Sequence, residues 1–296
     1  MSLIEKAAER LDQLRRAGVE VPAGDGGRAE PRAAAEPAAA AAGQDGPPRG
    51  TARLEIDVAR LAAEGFVTPA DPRSRTAEEF RVLKRPLIAN ASAARSAPGG
   101  HPNLVMVTSA LPGEGKTFCA VNLAMSIAME MDRTVLLVDA DVARPSVPRV
   151  LGLPELPGLF DVLEGRVADV SEVLNRTNVE KLVFLSSGTL NPRASELLAS
   201  DSMAALLDEL AGRYSDRIII FDSPPLLVTT EAHVLASHMG QVIVVAHSEK
   251  TLRSDVKRAL ATIQSCPIRM MVLNQARPNL RSPYGQGYGY GYGYGK

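Results

Sequence analysis

The last 13 residues of the chain hold five of its six tyrosines, and glycines separate most of them. Each tyrosine offers a phenolic oxygen that can accept a phosphoryl group. Because glycine has no Cβ, a glycine-rich segment forms a flexible chain that can carry such an oxygen into an active site. A low-complexity spacer is the alternative for this composition. The expected phosphate acceptors are Tyr284, Tyr288, Tyr290, Tyr292 and Tyr294.

A phosphate donor site is indicated by the glycine-rich segment 109–117, which reads Ser-Ala-Leu-Pro-Gly-Glu-Gly-Lys-Thr. It follows an apolar run and opens a helical pattern, which is the setting of a phosphate-binding loop. Lys116 is expected to reach the β and γ phosphates of ATP, and the Thr117 hydroxyl to ligate Mg²⁺. The strict pattern has glycine where this chain has Ala110. The expected nucleotide contacts are Pro112, Gly113, Glu114, Gly115, Lys116, Thr117 and Phe118.

Two further apolar runs end in aspartates that would project into the same nucleotide crevice. One run ends at Asp139 and Asp141, and the other ends at Asp222. Asp222 is expected to hold Mg²⁺ directly or through water, and Asp139 and Asp141 are expected to share the metal or accept a proton. We favour Asp139 as the base. Capping of the following helix is the alternative role for each acid. The expected metal ligands are Thr117, Asp139 and Asp222.

Donor and acceptors on one polypeptide predict tyrosine autophosphorylation. A tyrosine hydroxyl has a pKa of about 10, so forming the phenolate at pH 7 costs about 4 kcal/mol unless a base takes the proton. The transition state of phosphoryl transfer is loose and demands little push from the nucleophile. Positioning and charge neutralisation by Lys116 and Mg²⁺ are therefore expected to matter more than the strength of the base.

The elements that must position these residues alternate between strands and helices after residue 100. Apolar runs of strand length are separated by stretches of helical length and periodicity, such as 116–131, 195–214 and 251–263. This pattern predicts a doubly wound α/β domain with a mostly parallel sheet, in which ligands bind at the carboxyl ends of the strands. The predicted strands are 104–108, 134–139, 182–185, 217–221, 241–246 and 270–273.

The first 100 residues divide into three segments. Residues 1–18 have a capping box and a helical apolar period, which predict an amphipathic helix that docks a partner, although a helix this short can also be marginal and without a specific role. Residues 19–50 are rich in Ala, Pro and Gly and predict a disordered linker. Residues 51–100 predict an extension with helices at 57–65 and 77–88. The P-loop domain then spans 101–278, and the tyrosine-rich tail spans 279–296.

Composition argues against several classes of function. The formal net charge is -1 and no dense basic cluster is present, so nucleic-acid binding is not expected. The two cysteines, Cys119 and Cys266, lie inside apolar patterns and suggest neither a disulfide scaffold nor a metal cluster. No apolar run approaches the ~18 residues that cross a bilayer. We therefore expect a cytoplasmic chain, in which any membrane contact must come through a partner.

Together these motifs resemble the bacterial tyrosine kinases that use a P-loop fold, and the resemblance covers roughly residues 75–296. Asp139 and Asp141 match the family's second motif, Walker A′, in which an apolar strand ends Asp-x-Asp. Arg144 lies one position later than the arginine usual in that motif. The resemblance also implies that Asn274, after the last strand, contacts the adenine, and a turn residue is the alternative for this position.

The family has a Glu-x-x-Arg-x-x-Arg motif that packs subunits into a homo-oligomeric ring. Glu78, Arg81 and Lys84 occupy it here, and Arg85 follows at once. This motif and the N-terminal segment are similar to one branch, the tyrosine autokinases associated with exosortase and exopolysaccharide gene clusters. That branch implies activation by a separate, membrane-embedded chain-length-determinant protein, which is a polysaccharide co-polymerase, and a role in exopolysaccharide polymerisation and export.

Two other functions share parts of this pattern. A partitioning or positioning ATPase of the deviant Walker A type has the same sheet and strand-end acids, but its signature lysine would stand where this chain has Leu111. A scaffold that binds ATP only to assemble a polysaccharide export complex would keep its function when all five tail tyrosines become phenylalanine.

Overall fold

The computed structural model describes residues 53–93, 101–142, 144–189, 191–213 and 216–276. The strands are β1 Leu104–Ser109, β2 Thr134–Asp139, β3 Asn175–Arg176, β4 Leu182–Leu185, β5 Arg217–Asp222, β6 Gln241–His247 and β7 Ile268–Asn274. They form one sheet with the order β3-β4-β2-β5-β1-β6-β7. All neighbouring strands pair in parallel except β3, which runs antiparallel to β4. The six predicted strands are thus confirmed.

Helices pack on both faces of this sheet. The α-helices of the described residues are α1 Val58–Ala63, α2 Arg75–Ala93, α3 Lys116–Ala128, α4 Val147–Leu151, α5 Leu159–Leu163, α6 Ala194–Leu198, α7 Asp201–Arg213, α8 Glu231–Ser237 and α9 Arg253–Thr262. The apolar side chains of α1 to α4 share one buried cluster, and those of α5 to α9 share the other. The doubly wound α/β architecture that the sequence predicts is therefore confirmed.

The burial of each strand explains its composition. β1 lies inside the sheet with helices on both faces, so all six of its residues are buried and its apolar run is continuous. Its alternate side chains divide between the two clusters, as Val105 and Met106 illustrate. β7 is an edge strand in which half-buried and exposed positions alternate, and Met271 and Leu273 are exposed. The pairing of β2 with β5 places Asp139 opposite Asp222, which brings two predicted site acids together.

The helix predictions are confirmed in position and differ in extent. The helix predicted at 57–65 is α1, and the side chain of Asp57 accepts a backbone N–H at its start, as expected for a cap. The helix predicted at 77–88 is the middle of the longer α2. The helix predicted at 195–214 is two helices, because the chain breaks near Ser200, whose hydroxyl caps α7.

Several predicted segments lie outside the described residues. These are the helix at 1–18, the linker at 19–50 and the tail at 279–296, with all five expected acceptor tyrosines. Within the part of the chain that the structure describes, no helix combines the length and apolar character needed to span a membrane.

Candidate nucleotide site and acceptor cleft

The loop between β1 and α3 has the backbone conformation that a phosphate-binding loop requires. Gly113 and Gly115 have φ angles of 82° and 95°, a region that favours glycine. A Cβ at Gly115 would lie 2.0 Å from Nδ2 of Asn274, so this position has no room for a side chain. α3 begins at Lys116 directly after the turn, and the first amide groups of a helix have no partner within it. The loop can therefore offer backbone donors to a phosphate.

Lys116 and Asp141 form an ion pair beside this loop. The Nζ atom of Lys116 lies 2.5 Å from Oδ2 of Asp141, and both side chains are largely buried. The other oxygen of Asp141, Oδ1, accepts a hydrogen bond from the backbone N–H of Arg144 at 3.1 Å. The hydrogen bond from the loop after β2 thus positions the carboxylate of Asp141, and the ion pair with this carboxylate positions Lys116. A phosphate that enters the site would compete with Asp141 for the charge of Lys116.

Asp139 is fully buried, and backbone donors engage both of its oxygens. Oδ2 accepts hydrogen bonds from the N–H groups of Ser146 and Val147, each at 3.0 Å, and Oδ1 accepts one from the N–H of Asp141 at 3.3 Å. Burial and the nearby Asp222 raise the pKa of Asp139 to about 7. The carboxylate holds the start of α4, which is the capping role that the sequence left open. These three bonds occupy most of the acceptor capacity of the carboxylate, which disfavours a role as a base.

Asp222 is also fully buried, and neither of its carboxylate oxygens accepts a hydrogen bond with good geometry. Burial raises its pKa to about 7, although the charge of Lys116 and the hydroxyl of Thr117 act in the opposite direction. A buried carboxylate without donors is costly, and a cation can supply the missing partner. The chemistry of this position fits the magnesium ion that the sequence predicts.

The residues that would hold this magnesium are Thr117 and Asp222. The Thr117 hydroxyl shares a hydrogen bond of 2.9 Å with the hydroxyl of Ser146. Asp139, the third expected ligand, already uses both oxygens for backbone bonds. Among the described residues, no group of three or more His, Cys, Asp or Glu side chains is arranged to bind a metal. Phosphate oxygens of a nucleotide would therefore have to complete the coordination, as is common for Mg²⁺.

Glu114 and Thr251 form a link that the sequence pattern does not reveal. Oε2 of Glu114 accepts a hydrogen bond from the N–H of Leu111 at 2.8 Å, and Oε1 accepts one from the Thr251 hydroxyl. The Thr251 hydroxyl also accepts a hydrogen bond from the N–H of His247 at 2.8 Å. The side chain of Glu114, predicted as a nucleotide contact, thus holds the loop to β6. The loop pattern allows any residue at this position, so it carries no signal for the link.

Asn274 forms a hydrogen bond with the phosphate-binding loop. Its Nδ2 atom donates a hydrogen bond to the carbonyl oxygen of Glu114 at 3.0 Å. Asn274, Gly115 and Phe118 line a cavity of about 930 Å³ between α2, α3 and β7. This cavity adjoins the loop and is large enough for a nucleotide base. The contact between Asn274 and the adenine stays a prediction.

A second cavity, of about 540 Å³, is lined by Lys116 and Asp141, and we call it the acceptor cleft. Its other walls come from the phosphate-binding loop, from the chain between β2 and α4, and from the loop after β5. Arg144 and Arg149 line it, are exposed, and form no side-chain hydrogen bond or ion pair with any described residue. Three cations and one carboxylate give the cleft a positive charge, which suits a phosphoryl group in transfer.

The predicted oligomerisation residues differ in exposure. Glu78 and Arg81 are exposed on α2 and form an ion pair of 2.5 Å. Lys84 is only 4% exposed, because its Nζ atom donates to a carbonyl oxygen at the end of α3 at 2.5 Å and lies 2.7 Å from Glu130. Lys84 therefore ties α2 to α3 within one subunit and is not on the surface, where the motif would place it. The adjacent Arg85 is exposed.

Comparison with known proteins agrees with this geometry. The model of the ParA family, described as NUBPL iron-transfer P-loop NTPase, matches residues 101–276. Tyrosine-protein kinase YwqD of Bacillus subtilis is 31% identical over 221 residues, which are 74% of this chain and 89% of YwqD. The chain is a P-loop NTPase of the bacterial tyrosine-protein kinase family.

Some relatives are much longer than this chain. The putative tyrosine-protein kinase EpsB of Ralstonia nicotianae is 34% identical over 187 residues, which are 62% of this chain and 24% of EpsB. The chain thus spans about a quarter of that relative. The kinase domain of Escherichia coli tyrosine kinase ETK has the same fold, with a TM-score of 0.63 over 80% of this chain and 94% of that domain, at 24% identity.

Proposed function

We propose that the chain is an ATP-dependent protein-tyrosine autokinase that phosphorylates its own C-terminal tyrosine cluster. The observation that carries the proposal is the ion pair between Lys116 and Asp141 in the acceptor cleft, close to the unpartnered carboxylate of Asp222. This arrangement combines a phosphate anchor, a metal-binding acid and an accessible cleft. The same chain supplies five tyrosines on a glycine-rich tail.

Each site residue has a separate task in the transfer. The loop amides and Lys116 hold the phosphates of ATP and neutralise their charge, which requires Lys116 to turn from Asp141 to the phosphates. Thr117 and Asp222 hold Mg²⁺, which when bound neutralises further charge on the transferred group. Arg144 adds positive charge at the cleft wall. Catalysis then depends mainly on positioning, because phosphoryl transfer needs little covalent help.

The proton of the tyrosine hydroxyl needs an acceptor in the cleft. The sequence favours Asp139, but that residue does not line the cleft, and both of its oxygens accept backbone hydrogen bonds. Asp141 lines the cleft and loses its partner when Lys116 turns to the phosphates. We therefore propose Asp141 as the proton acceptor and Asp139 as a positioning residue that holds α4. Both must be deprotonated for these roles.

The attachment point of the tail supports delivery of a tyrosine to the site. β7 ends at Asn274, whose side chain donates a hydrogen bond to the phosphate-binding loop. Tyr284 and Tyr294 follow 10 and 20 residues later. A flexible chain of these lengths has a typical span of ~17 to ~25 Å. A ring of subunits would raise the concentration of a neighbour's tail at each cleft, so we propose transfer between subunits.

Mass spectrometry tests the activity directly. Trypsin should release residues 282–296 as one peptide after the purified protein is incubated with ATP and Mg²⁺. We expect phosphate on this peptide from the wild type and none from Lys116→Ala. An unmodified wild-type peptide, even with the membrane partner added, would instead favour an ATPase or a nucleotide-dependent scaffold.

A mixed assembly tests transfer between subunits. Lys116→Ala subunits keep intact tails but have no donor site, whereas subunits that lack residues 279–296 keep the donor site but have no acceptors. We expect phosphate on the intact tails of the mixture. Tails that stay unmodified in the mixture, although the wild type modifies itself, would show that each subunit acts only on its own tail.

We further propose a role in exopolysaccharide polymerisation and export. The chain would act on the cytoplasmic side of the inner membrane, bound to a membrane-embedded chain-length-determinant protein. The similarity to the autokinases of exopolysaccharide gene clusters supports this partner, and residues 1–18 are our candidate docking segment. Co-purification of the partner with the full chain, and its loss on deletion of residues 1–18, is the expected result. Equal recovery without this segment would reject its docking role.

A further inference from the structure

A third cavity, of about 880 Å³, continues the acceptor cleft toward the end of β4. It shares Pro145 and Arg149 with the cleft, so the two cavities adjoin each other. Pro148 and Pro157 also line it, and we call it the proline groove. Lys116 does not line the proline groove, and the transfer of the phosphoryl group does not require the groove.

The wall of the proline groove is held by a dense set of backbone bonds. Oδ2 of Asp161 accepts hydrogen bonds from the N–H groups of Gly158 at 2.8 Å and Thr189 at 3.2 Å. Gly188 has a φ of 84°, and a Cβ there would lie 2.8 Å from the nitrogen of Gly158. Ser186 accepts a further hydrogen bond on its carbonyl oxygen, at 2.8 Å. The groove is therefore a preformed feature of the fold.

We propose that the proline groove binds the tail of a second copy of the chain in an extended conformation. In this arrangement Arg149 binds the phosphate of a tyrosine that lies two residues from the one in the acceptor cleft. The proposal rests on the proposed function and adds to it a binding subsite and an order of phosphorylation. Residues 284–296 of the second copy are the occupant.

The repeat of the tail matches the groove. From residue 287 to residue 295 glycine and tyrosine alternate strictly. In an extended chain alternate side chains point to the same side and lie ~6.7 Å apart, so all these tyrosines share one face and the glycines share the other. One phenol can then enter the acceptor cleft while the next lies in the groove. The rings of Pro145, Pro148 and Pro157 give that phenol apolar surface to pack against.

Charge supports the same occupant. Arg149 is exposed, and its side chain forms no hydrogen bond or ion pair with a described residue. A guanidinium group binds phosphate through two parallel hydrogen bonds. The tail, residues 279–296, contains no Asp or Glu, so no acidic side chain in it attracts Arg149 before the first phosphate is added. Each phosphate brings about -1.5 to -2 charge. The first modification should therefore promote the next at a neighbouring tyrosine.

Glu155 is the carboxylate that lines the proline groove. It repels a phosphate, so it limits how many phosphotyrosines the groove can hold at once. It also complements Lys296, the basic residue that ends the tail. The groove thus distinguishes a tail with one phosphate near Arg149 from a tail that carries phosphate at every tyrosine.

Synthetic tail peptides test the subsite. The enzyme is the full chain with its five tail tyrosines replaced by phenylalanine, so that its own tail is no acceptor. The peptides span residues 284–296 with Tyr290 as the one acceptor. One peptide carries phosphotyrosine at position 288 and another carries it at position 292. In both, phenylalanine replaces the remaining tyrosines except Tyr290. In a third peptide, phenylalanine replaces all tyrosines except Tyr290. The readout is kcat/KM for phosphate addition at Tyr290.

We expect at least one phosphorylated peptide to have a kcat/KM about 10-fold above the phenylalanine peptide. Arg149→Gln should reduce this ratio to about 1. The matched control Arg258→Gln, an exposed arginine on α9, should keep it. A ratio of 1 in the unsubstituted enzyme, or a ratio that Arg149→Gln leaves unchanged, would overturn the proposal.

Two further outcomes separate this proposal from the proposed function. If no peptide is modified although the wild-type protein phosphorylates its own tail, the groove does not receive a second copy's tail and the inference is wrong. If the wild-type tail is also unmodified, the proposed function itself fails. Raising the salt concentration should lower the preference for the phosphorylated peptide, because the contact is electrostatic and exposed.

Discussion

The buried carboxylate of Asp222 lowers the stability of the folded chain. Its two oxygens are buried and accept no hydrogen bond of good geometry, and burial raises its pKa to about 7, so the charged form is disfavoured unless a metal cation is bound. Asp222→Asn should therefore raise the free energy of unfolding of the nucleotide-free protein by about 1 kcal/mol. It should also lower tail phosphorylation by about 10- to 100-fold, because the metal loses a charged ligand. Urea unfolding and phosphate incorporation measure the two effects.

The matched control for Asp222→Asn is Asp132→Asn, an exposed acid without a side-chain contact among the described residues. We expect neither stability nor activity to change in the control. A loss of stability in Asp222→Asn would show that the carboxylate has partners in the nucleotide-free protein. Stability that rises while activity is kept would mean that Asp222 does not hold the metal.

The link between Thr251 and Glu114 should set the shape of the phosphate-binding loop. Thr251→Val has nearly the same volume but leaves Oε1 of Glu114 buried without its donor. We expect the Kd for ATP to rise about 5- to 10-fold, which corresponds to about 1 kcal/mol, the net contribution of one typical hydrogen bond. Thr251→Ser restores the hydroxyl and should bind nearly as the wild type does. Titration calorimetry would contradict the link if Thr251→Val binds ATP with unchanged affinity.

At the scale of the elements, the sequence predicts what depends on local periodicity and composition. The buried strands can be recognised in the sequence as continuous apolar runs. The turn before α3 can be recognised by its glycines. The two-residue β3 and the short α4 carry too few residues for any period. The burial of Lys84 and the engagement of Asp139 by α4 depend on which distant segments meet. The motifs predict a subunit contact for Lys84 and a role as base or metal ligand for Asp139, because a pattern contains no information about tertiary contacts.

The contact between Lys84 and Glu130 joins the predicted oligomerisation helix to the end of the phosphate-binding helix. The hydrogen bond from Lys84 lowers the pKa of Glu130 below its ordinary 4.5, so the ionised form is stabilised in the folded state. This stabilisation is present above pH 4.5 and is lost as the pH falls through the lowered pKa. Glu130→Gln should be less stable than the wild type at pH 7, and the difference should shrink below pH 4.5.

Urea unfolding between pH 7 and pH 3.5 measures this difference for Glu130→Gln. The control is Glu180→Gln, an exposed glutamate without a side-chain contact among the residues that the structure describes. We expect the control to follow the wild type at every pH. A constant difference between Glu130→Gln and the wild type across this range would mean that the ionised carboxylate does not stabilise the fold.

At the scale of the assembly, we propose that Glu78 and Arg81 join subunits. Their ion pair is exposed, and a surface pair contributes about 0 to 1 kcal/mol to the stability of one subunit. Glu78→Ala with Arg81→Ala should therefore leave unfolding almost unchanged. The double variant should sediment as a smaller species than the wild type and transfer less phosphate between subunits. Arg75→Ala with Glu79→Ala removes a similar pair on the same helix and is the control for sedimentation. An unchanged sedimentation profile for the first variant would reject the proposed contact.

Phosphorylation of the tails should in turn destabilise the ring of subunits in which the transfer takes place. Five phosphates bring up to about -10 charge to the last 13 residues of a chain whose formal net charge is -1. Tails gathered in one ring would then repel one another, and the ring should dissociate as modification proceeds. Sedimentation before and after incubation with ATP measures this, with the five-phenylalanine variant as the control. High salt should restore the larger species, because screening shortens the range of the repulsion. A phosphorylated protein that keeps its assembly size at low salt would show that tail charge does not control the ring.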